Sequence, residues 1–227
     1  SLLQDSTSFR SLVYYIVLIL VARIKHKPVL LWGQGLGPLK YAWSRYLVGR
    51  VLNSAKSITW RDSASMQLAK RIGITTTMSV APDPVWSHQA NDYQGGGNIV
   101  LCWRPTDLLT PRGWSLLLQA IDQLSDSKGK SVTWFAFHAN QDVNLLRTLS
   151  QKGLVPKRLE AKSSTMIAKN IEHAQDIFSD ASLVVAMRLH AFILSTVSHC
   201  PTVALSYDPK VEAAAQTADA PWLDLAH

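Results

Sequence analysis

The chain has 227 residues, of which 47% are hydrophobic, and its formal net charge is +7. This length suits one large domain or two small ones, and the apolar content excludes global disorder. Its two cysteines, Cys102 and Cys200, each lie inside an apolar run, which excludes a disulfide framework and indicates buried thiols in a reducing compartment. The positive charge favours anionic partners such as phosphates, acidic lipids or nucleic acid.

The first apolar stretch, residues 11–22 (SLVYYIVLILVA), is shorter than the roughly 20 residues that a membrane-spanning helix needs. We interpret it as a core helix, and an interfacial helix is the alternative, because the basic segment RIKHK follows it. The sequence has no initiator Met and begins abruptly at SLLQD. We therefore expect an N-terminal truncation of the first domain.

Apolar runs of strand length alternate with helical patterns along the whole chain. This alternation predicts an α/β fold with parallel sheets covered on both faces. The polar, glycine-rich stretch 87–98 is the expected boundary between two units, 1–90 and 97–227. The predicted strands are Val29–Trp32, Ser57–Trp60, Met78–Val80, Ile99–Trp103, Val132–Phe137, Leu183–Ala186 and Thr202–Leu205. The predicted helices are 12–24, 39–54, 63–72, 112–126, 141–151, 172–179, 190–198 and 209–217.

Charged, titratable or glycine-rich segments follow nearly every predicted strand. In open parallel sheets, ligands bind beyond the carboxyl ends of the strands. The first strand leads into GQGLGP (residues 33–38), which is either a tight turn that needs positive φ or a loop whose backbone N–H groups approach an anion. The groups that follow the other strands are Arg61 and Asp62, Asp83, Arg104, His138 and Asp142, Arg188 and His190, and Tyr207, Asp208 and Lys210.

Several of these groups have a structural interpretation beside the functional one. Asp62 is a natural helix N-cap, and Arg61 either pairs with it or reaches a carboxylate or phosphate. His138 is either structural or a proton carrier. His190 and Lys210 are expected near helix N-termini, where an anion is favoured and a cation is not. His190 is therefore either a structural histidine or a group that helps to bind an anion, and Lys210 is either a solvated surface residue or a sign of a bound anionic substrate. No CxxC or HExxH motif occurs in the sequence, so no metal site is predicted.

Seven segments, in their order and spacing, resemble one protein family. They are SLLQDSTSFRSLVYY, GQGLGPLK, ITWRDSAS, APDPVW, FHANQD, MRLHAFILS and ALSYDPKV. Together they resemble the polysaccharide pyruvyl transferases, with the CsaB-like branch, which ketalises a sugar on a cell-wall or exopolysaccharide precursor, as the nearest. The resemblance implies two Rossmann-like domains that face a cleft in a GT-B-like arrangement. The first domain is expected to be incomplete, because the family has glycines before SLLQD and an earlier strand.

The resemblance also implies a reaction. Phosphoenolpyruvate would be the donor substrate, with no further cofactor and no metal, and a sugar with two nearby hydroxyls would be the acceptor. Such chemistry needs a general acid/base and fixed positive charge. The implied catalytic residues are His190 and, in reserve, His138. The implied substrate-binding residues are Arg188, Arg104 and Lys210 for phosphate and carboxylate, Gln34, Gly35 and Gln4 for the acceptor, Arg61 for either, and Tyr207.

Two other functions compete with this hypothesis. A GT-B glycosyltransferase that uses a nucleotide sugar would also need basic groups and a helix N-terminus for a diphosphate. A nucleic-acid-binding module would fit the charge, but the basic residues are spread along the chain and no RNA- or DNA-binding motif occurs. If the pyruvyl acceptor is lipid-linked, we expect a cytoplasmic protein that contacts the inner face of the cytoplasmic membrane, with RIKHK near anionic headgroups.

Overall fold

A computed structural model describes residues 3–5 and 9–225 of the chain. The chain forms two compact units, of which the first ends at Pro84 and the second begins at Val85. A 3₁₀ turn, Pro84–Ser87, carries the chain from one unit into the other. Each unit is built on a parallel sheet, which confirms the predicted α/β class.

The N-terminal unit contains a three-stranded parallel sheet in the order β1-β2-β3. Its core joins Val48 and Leu52 on one helix to Ile58 and Trp60 on the central strand, all of them at most 1% exposed. Its elements are α1 (Phe9–Ile24), β1 (Leu30–Gln34), α2 (Ala42–Leu52), β2 (Ser57–Trp60), α3 (Ser63–Arg71) and β3 (Met78–Val80).

Helix α1 is a core helix along one side only. Its buried residues are Leu12, Ile16 and Ile19, which recur at helical spacing and pack on the core of the N-terminal unit. Apolar residues on its other sides, such as Val17 and Ile24, are exposed. None of the helices within residues 9–225 combines the length and the hydropathy needed to cross a membrane.

The C-terminal unit contains a six-stranded sheet in which all neighbouring strands are parallel. The strand order is β6-β5-β4-β7-β8-β9, which is the Rossmann order, with reversal between β4 and β7. Its strands are β4 (Ile99–Cys102), β5 (Val132–Ala136), β6 (Ser163–Ile167), β7 (Leu183–Ala186), β8 (Thr202–Ser206) and β9 (Trp222–Asp224). Its helices are α4 (Pro111–Lys128), α5 (Ala139–Asp142), α6 (Leu145–Gln151), α7 (Lys157–Ala161), α8 (Ile171–Asp180), α9 (Leu189–Val197) and α10 (Pro209–Thr217).

Successive residues of β4 point to opposite faces of this sheet, and both faces are covered. Val100 and Cys102 pack with α8, α9 and α10, whereas Ile99, Leu101 and Trp103 pack with α4, α6 and α7. Burial on both faces favours apolar side chains at every position, and the two strands at the centre of the sheet, β4 and β7, are continuous apolar runs.

Four features of the C-terminal unit differ from the sequence prediction. The edge strands β6 and β9 were not predicted, because their side chains are mostly exposed and lack an apolar pattern. The short helix α7 was also not predicted. The single helix predicted over 141–151 is two helices, α5 and α6, with Val143 and Asn144 between them.

The polar stretch that the sequence suggested as a boundary is attached to the C-terminal unit. The backbone N–H groups of Gln94 and Gly95 donate to the Ser179 carbonyl at 2.8 and 2.9 Å. The Tyr93 hydroxyl donates to the Ala181 carbonyl at 3.1 Å. These bonds hold the stretch against the end of α8.

Candidate functional site

Two arginines follow the strands between which the sheet order reverses. Arg104 lies just beyond β4 and Arg188 just beyond β7. The backbone N–H of Arg188 donates to the carbonyl of Cys102 at 3.3 Å, so the two strand ends are adjacent. In open parallel sheets the crevice at such a reversal is where ligands bind. The sequence-predicted residues Arg104 and Arg188 therefore share the position at which this fold takes a ligand.

A buried carboxylate holds the Arg188 side chain. The Nε atom of Arg188 donates to Asp142 Oδ2 at 3.0 Å, and its Nη2 atom donates to Asp142 Oδ1 and to Gln141 Oε1. The side chain of Asp142 is 1% exposed and that of Arg188 is 16% exposed. A bidentate pair of this kind fixes the guanidinium plane. Asp142 therefore orients Arg188, a role that the sequence did not indicate, because 46 positions separate the two residues.

The two candidate histidines lie at the same edge of the sheet. His138 follows β5, and its backbone N–H donates to Asp142 Oδ2 at 2.9 Å. His190 is the second residue of α9, so it lies in a first helical turn as predicted. Both histidines are exposed to solvent. Side chains in these places can meet a ligand at the carboxyl ends of β5 and β7.

A third group of site residues follows β8. Arg104 Nη1 is 3.3 Å from the Tyr207 hydroxyl, and its guanidinium carbon lies 4.8 Å from the centroid of that ring. Lys210 Nζ lies 6.0 Å from the same centroid and 3.1 Å from Asp208 Oδ2. Arg104, Tyr207 and Lys210 are thus brought together around one aromatic ring.

Lys210 lies in the first turn of α10, as predicted, and its charge has a local partner in Asp208. Asp208 is the N-cap of α10, and its Oδ1 atom accepts the Lys210 backbone N–H at 3.1 Å. Its other oxygen forms the ion pair with Lys210 Nζ. The carboxylate of Asp208 therefore supplies the negative charge that a cation at a helix N-terminus requires.

The GQGLGP segment forms a turn that is attached to α3. Gly33 and Gly37 have φ values of +62° and +84°, which L-residues with side chains rarely adopt. The Leu36 backbone N–H donates to Ser65 Oγ at 2.9 Å. Asp62 caps α3 by accepting the Ser65 N–H, which confirms its predicted N-cap role.

The Arg61 guanidinium packs over this turn at Gly35. A Cβ atom at Gly35 would lie 2.7 Å from Arg61 Nη2, so a side chain there would displace the guanidinium from this position. Arg61 also lies 3.8 Å from an Asp62 carboxylate oxygen and 3.9 Å from one of Asp83. Its backbone N–H donates to the carbonyl of Gln34 at 3.0 Å. These contacts give Arg61 local partners within the N-terminal unit.

Gln4 lies beside the same turn. The Gly37 N–H donates to the Leu3 carbonyl at 2.8 Å, and the Asp5 N–H donates to the Pro38 carbonyl at 3.3 Å. Burial acts to raise the pKa of Asp5, but hydrogen bonds from the Ser44 hydroxyl and from backbone N–H groups outweigh it and lower that pKa. The structure therefore brings Gln4 to the turn that carries Gln34 and Gly35.

A pocket of about 400 Å³ lies between α1 and β1 in the N-terminal unit, and Gln34, which the sequence predicted to bind the acceptor, is among its lining residues. Its lining is mostly apolar and includes Leu18, Ile19, Leu30 and Leu31. This lining does not match an anionic substrate. Within the described ranges, 3–5 and 9–225, no group of three or more His, Cys, Asp or Glu side chains is suited to hold a metal ion.

A sheet in Rossmann order, with two arginines just beyond the strands at its reversal point, defines a Rossmann-like α/β protein that carries cations where such folds take ligands. The chain belongs to the polysaccharide pyruvyl transferase family, whose model matches residues 1–209. Among curated proteins, none matches the chain significantly in sequence.

Solved structures resemble the chain in fold at low sequence identity. Anabaena HepE (Alr3699), crystallised with UDP and glucose, is 14% identical with a TM-score of 0.56, over 87% of this chain and 58% of its own. TarM is 12% identical with a TM-score of 0.57, over 88% and 41%. An α,α-trehalose-phosphate synthase (UDP-forming) from Burkholderia vietnamiensis is 10% identical with a TM-score of 0.55, over 98% and 59%.

These likenesses show the fold, which is that of GT-B enzymes, and not the substrate. The chain spans 58% of HepE, 41% of TarM and 59% of the synthase, less than two thirds of each. The likenesses therefore do not identify the donor, the acceptor or the activity of the whole protein, and we propose these from the site.

Proposed function

We propose that the chain transfers the pyruvyl group of phosphoenolpyruvate to a sugar of a cell-surface polysaccharide, or of its lipid-linked precursor, as a cyclic ketal. The observation that carries this proposal is the placing of Arg104 and Arg188 beyond the two strands at the sheet reversal. Phosphoenolpyruvate has a carboxylate and a phosphate, and the planar guanidinium group matches both. Membership of the pyruvyl transferase family supports the same donor.

The charges of the three cations are balanced to different extents. Arg188 is paired with Asp142, and Lys210 with Asp208. Arg104 donates to the Pro105 carbonyl and the Tyr207 hydroxyl, and the described part of the chain places no carboxylate among its hydrogen-bond and ion-pair partners. A guanidinium without a carboxylate partner retains its full attraction for an anion. We therefore assign Arg104 as the main anion ligand, with Arg188 and Lys210 in support.

The reaction then proceeds with balanced atoms and charges. His190 donates a proton to the methylene carbon of phosphoenolpyruvate, and a sugar hydroxyl attacks C2 and loses its proton to the same imidazole. The bond from C2 to the phosphate oxygen then breaks, the second hydroxyl attacks C2 and closes the ketal, and its proton passes to the departing phosphate. Histidine suits both transfers because it exchanges protons near neutral pH. His138 is the alternative proton carrier, Tyr207 positions Arg104, and Gln34, Gly35, Gln4 and Arg61 serve the acceptor side.

The place of the reaction follows from the acceptor. A lipid-linked sugar would keep the protein in the cytoplasm at the inner face of the cytoplasmic membrane. The basic segment RIKHK (residues 23–27) would then lie near anionic headgroups.

The alternative is a glycosyltransferase that uses a nucleotide sugar. It is favoured by the fold shared with HepE, whose crystal structure holds UDP and glucose. Phosphoenolpyruvate and UDP therefore distinguish the two candidates.

Thermal melting with each ligand makes this test. A ligand that binds the native state at 100 times its Kd stabilises it by about 2.7 kcal/mol. We expect phosphoenolpyruvate, and not UDP or inorganic phosphate at equal concentration, to raise the Tm of the wild-type chain. The shift should shrink in Lys210→Ala and persist in Lys152→Ala, an exposed lysine on the end of α6. A shift with UDP alone would instead establish the glycosyltransferase.

A further inference from the structure

The outward side of α1 is apolar, although this side faces away from the core. Val17 is 48% exposed and Phe9 49% exposed. A helix that is hydrophobic around its whole circumference is typical of burial in protein or in a membrane. The residues of the outward side, which recur at helical spacing, are Phe9, Val13, Val17, Leu20 and Ile24.

Helix α2 continues this surface with aromatic side chains. The ring centroids of Phe9 and Trp43 are 5.3 Å apart in an edge-to-face contact, and Tyr41 stacks on Trp43 at 6.2 Å. Tyr46, one turn further along α2, is 68% exposed. We call the outward residues of α1, together with Tyr41, Trp43 and Tyr46, the α1–α2 face. Exposed Trp and Tyr rings beside aliphatic residues are characteristic of surfaces at the membrane–water interface.

The chain segment that forms the α1–α2 face contains no acidic residue, although Asp5, just before it, accepts hydrogen bonds from the backbone N–H groups of Lys40 and Tyr41. Positions 6–61 contain nine Lys and Arg residues and no Asp or Glu, whereas the whole chain has a net charge of +7. The rest of the chain is therefore net negative by two, and the positive charge is concentrated in the segment that forms this face. Exposed cations on α1 and α2, or directly after α1, include Arg10, Arg23, Lys25, Lys27 and Arg50.

We propose that the α1–α2 face is a membrane-docking surface, which lies in the interfacial plane of a bilayer that contains anionic lipid. Its apolar and aromatic residues enter the headgroup region while the bordering cations meet lipid phosphates. A protein partner would need an acidic surface with an apolar centre, whereas an anionic bilayer supplies both properties everywhere. The proposal deepens the proposed function, since docking would bring the enzyme to a lipid-linked acceptor. The observations that support it are those of the α1–α2 face and do not involve the residues proposed to bind phosphoenolpyruvate.

Vesicle co-sedimentation tests the proposal with the purified chain. The probes are phosphatidylcholine vesicles with and without about 30% phosphatidylglycerol, a content chosen to give the surface an anionic potential. We expect binding to the anionic vesicles and at least about tenfold weaker binding to the neutral ones. Val17→Glu should weaken binding by a similar factor, because it puts a charge into the apolar part of the face.

Each substitution has a matched control in the C-terminal unit. Leu116→Glu places the same charge at an apolar α4 residue that is 58% exposed. The triple variant R23Q/K25Q/K27Q should lose at least about tenfold in affinity for anionic vesicles. Its control is K128Q/K152Q/K157Q, which removes three exposed lysines elsewhere. Thermal melting of each variant without vesicles verifies that the fold is retained, since all of these side chains are exposed.

Several results would overturn the proposal. Wild-type protein that stays in the supernatant with anionic vesicles contradicts it, as does equal binding by Val17→Glu and Leu116→Glu. A dimer in sedimentation velocity that Val17→Glu dissociates, without vesicle binding, would assign the face to a second copy of the chain. The phosphoenolpyruvate-induced melting shift needs no vesicles, so failure of this proposal is distinguishable from failure of the proposed function.

Discussion

The pair formed by Asp142 and Arg188 allows a quantitative prediction for the substitution Asp142→Asn. The lost carboxylate is 1% exposed, and it accepts from the guanidinium and from the His138 backbone N–H. Breaking a fully buried ion pair costs about 3–5 kcal/mol. Because Arg188 is 16% exposed, water can partly solvate the freed cation, and we expect the lower end, about 3 kcal/mol.

Thermal melting followed by circular dichroism measures this cost. For a protein of this size, 1 kcal/mol shifts Tm by about 2–4 °C, so Asp142→Asn should lower Tm by about 10 °C. Asp126→Asn is the matched control, because it also removes a carboxylate that binds an arginine. The Asp126 side chain is 47% exposed, as is Arg158, its partner at 2.6 Å. We expect it to cost about 0–1 kcal/mol, as exposed pairs do.

A double-mutant cycle separates the ion pair from other effects of the substitution. If Asp142 acts through Arg188, the combined D142N/R188Q variant should be more stable than the sum of the single losses predicts, by about 1–3 kcal/mol. A Tm of Asp142→Asn within about 2 °C of the wild type would refute the reasoning. Strict additivity in the cycle would show that Asp142 does not act through Arg188.

Three further predictions concern other parts of the chain. Hydrogen bonds lower the folded-state pKa of Asp5, so its stabilising contribution is present above the unfolded pKa of about 3.9 and is lost as the pH falls through the folded-state pKa. The free energy of unfolding of Asp5→Asn should therefore fall less steeply at acid pH than that of the wild type. Burial raises the pKa of Cys200 to about 12 and that of Cys102 well above its usual range. A thiol reagent at pH 8 should therefore modify neither cysteine until the chain is denatured. Rapid modification of the native chain would contradict this burial. Gly49→Ala should lower the Tm despite alanine's higher helix propensity, because the new Cβ atom would lie 2.6 Å from the Ile72 carbonyl oxygen. An unchanged or raised Tm would show that this contact relaxes.

The sequence predicted the elements whose side chains are buried in the core of each unit. Strands such as Ser57–Trp60 and Leu183–Ala186 were predicted with their observed limits, because short apolar runs between turn residues are typical of buried strands. The edge strands β6 and β9 were missed, since an exposed edge strand needs no apolar pattern. Exposure of the outward side of α1 was foreseen only in the alternative interpretation of this segment as an interfacial helix, because an apolar helix ordinarily indicates a core.

The sequence predicted where the residues of the candidate site lie, but it did not predict which of them contact one another. The rule that ligands bind beyond parallel strands located Arg104, Arg188 and Lys210 at the carboxyl edge of the sheet. The partner of Lys210 was within reach of sequence reasoning, since Asp208 lies two residues before it and opens the same helix. The pairing of Asp142 with Arg188 was not, because it depends on the order in which the strands assemble.

The central claim is that the cations at the sheet reversal bind phosphoenolpyruvate, and isothermal titration calorimetry tests it most directly. The titration compares the wild-type chain with Arg104→Gln and with Arg147→Gln, an exposed arginine on α6 that serves as the control. Loss of a charge-assisted pair with the ligand should weaken binding by about tenfold or more. We expect one phosphoenolpyruvate per chain, with that loss of affinity in Arg104→Gln and none in Arg147→Gln. Equal affinity in all three proteins, or no binding by the wild type, would contradict it.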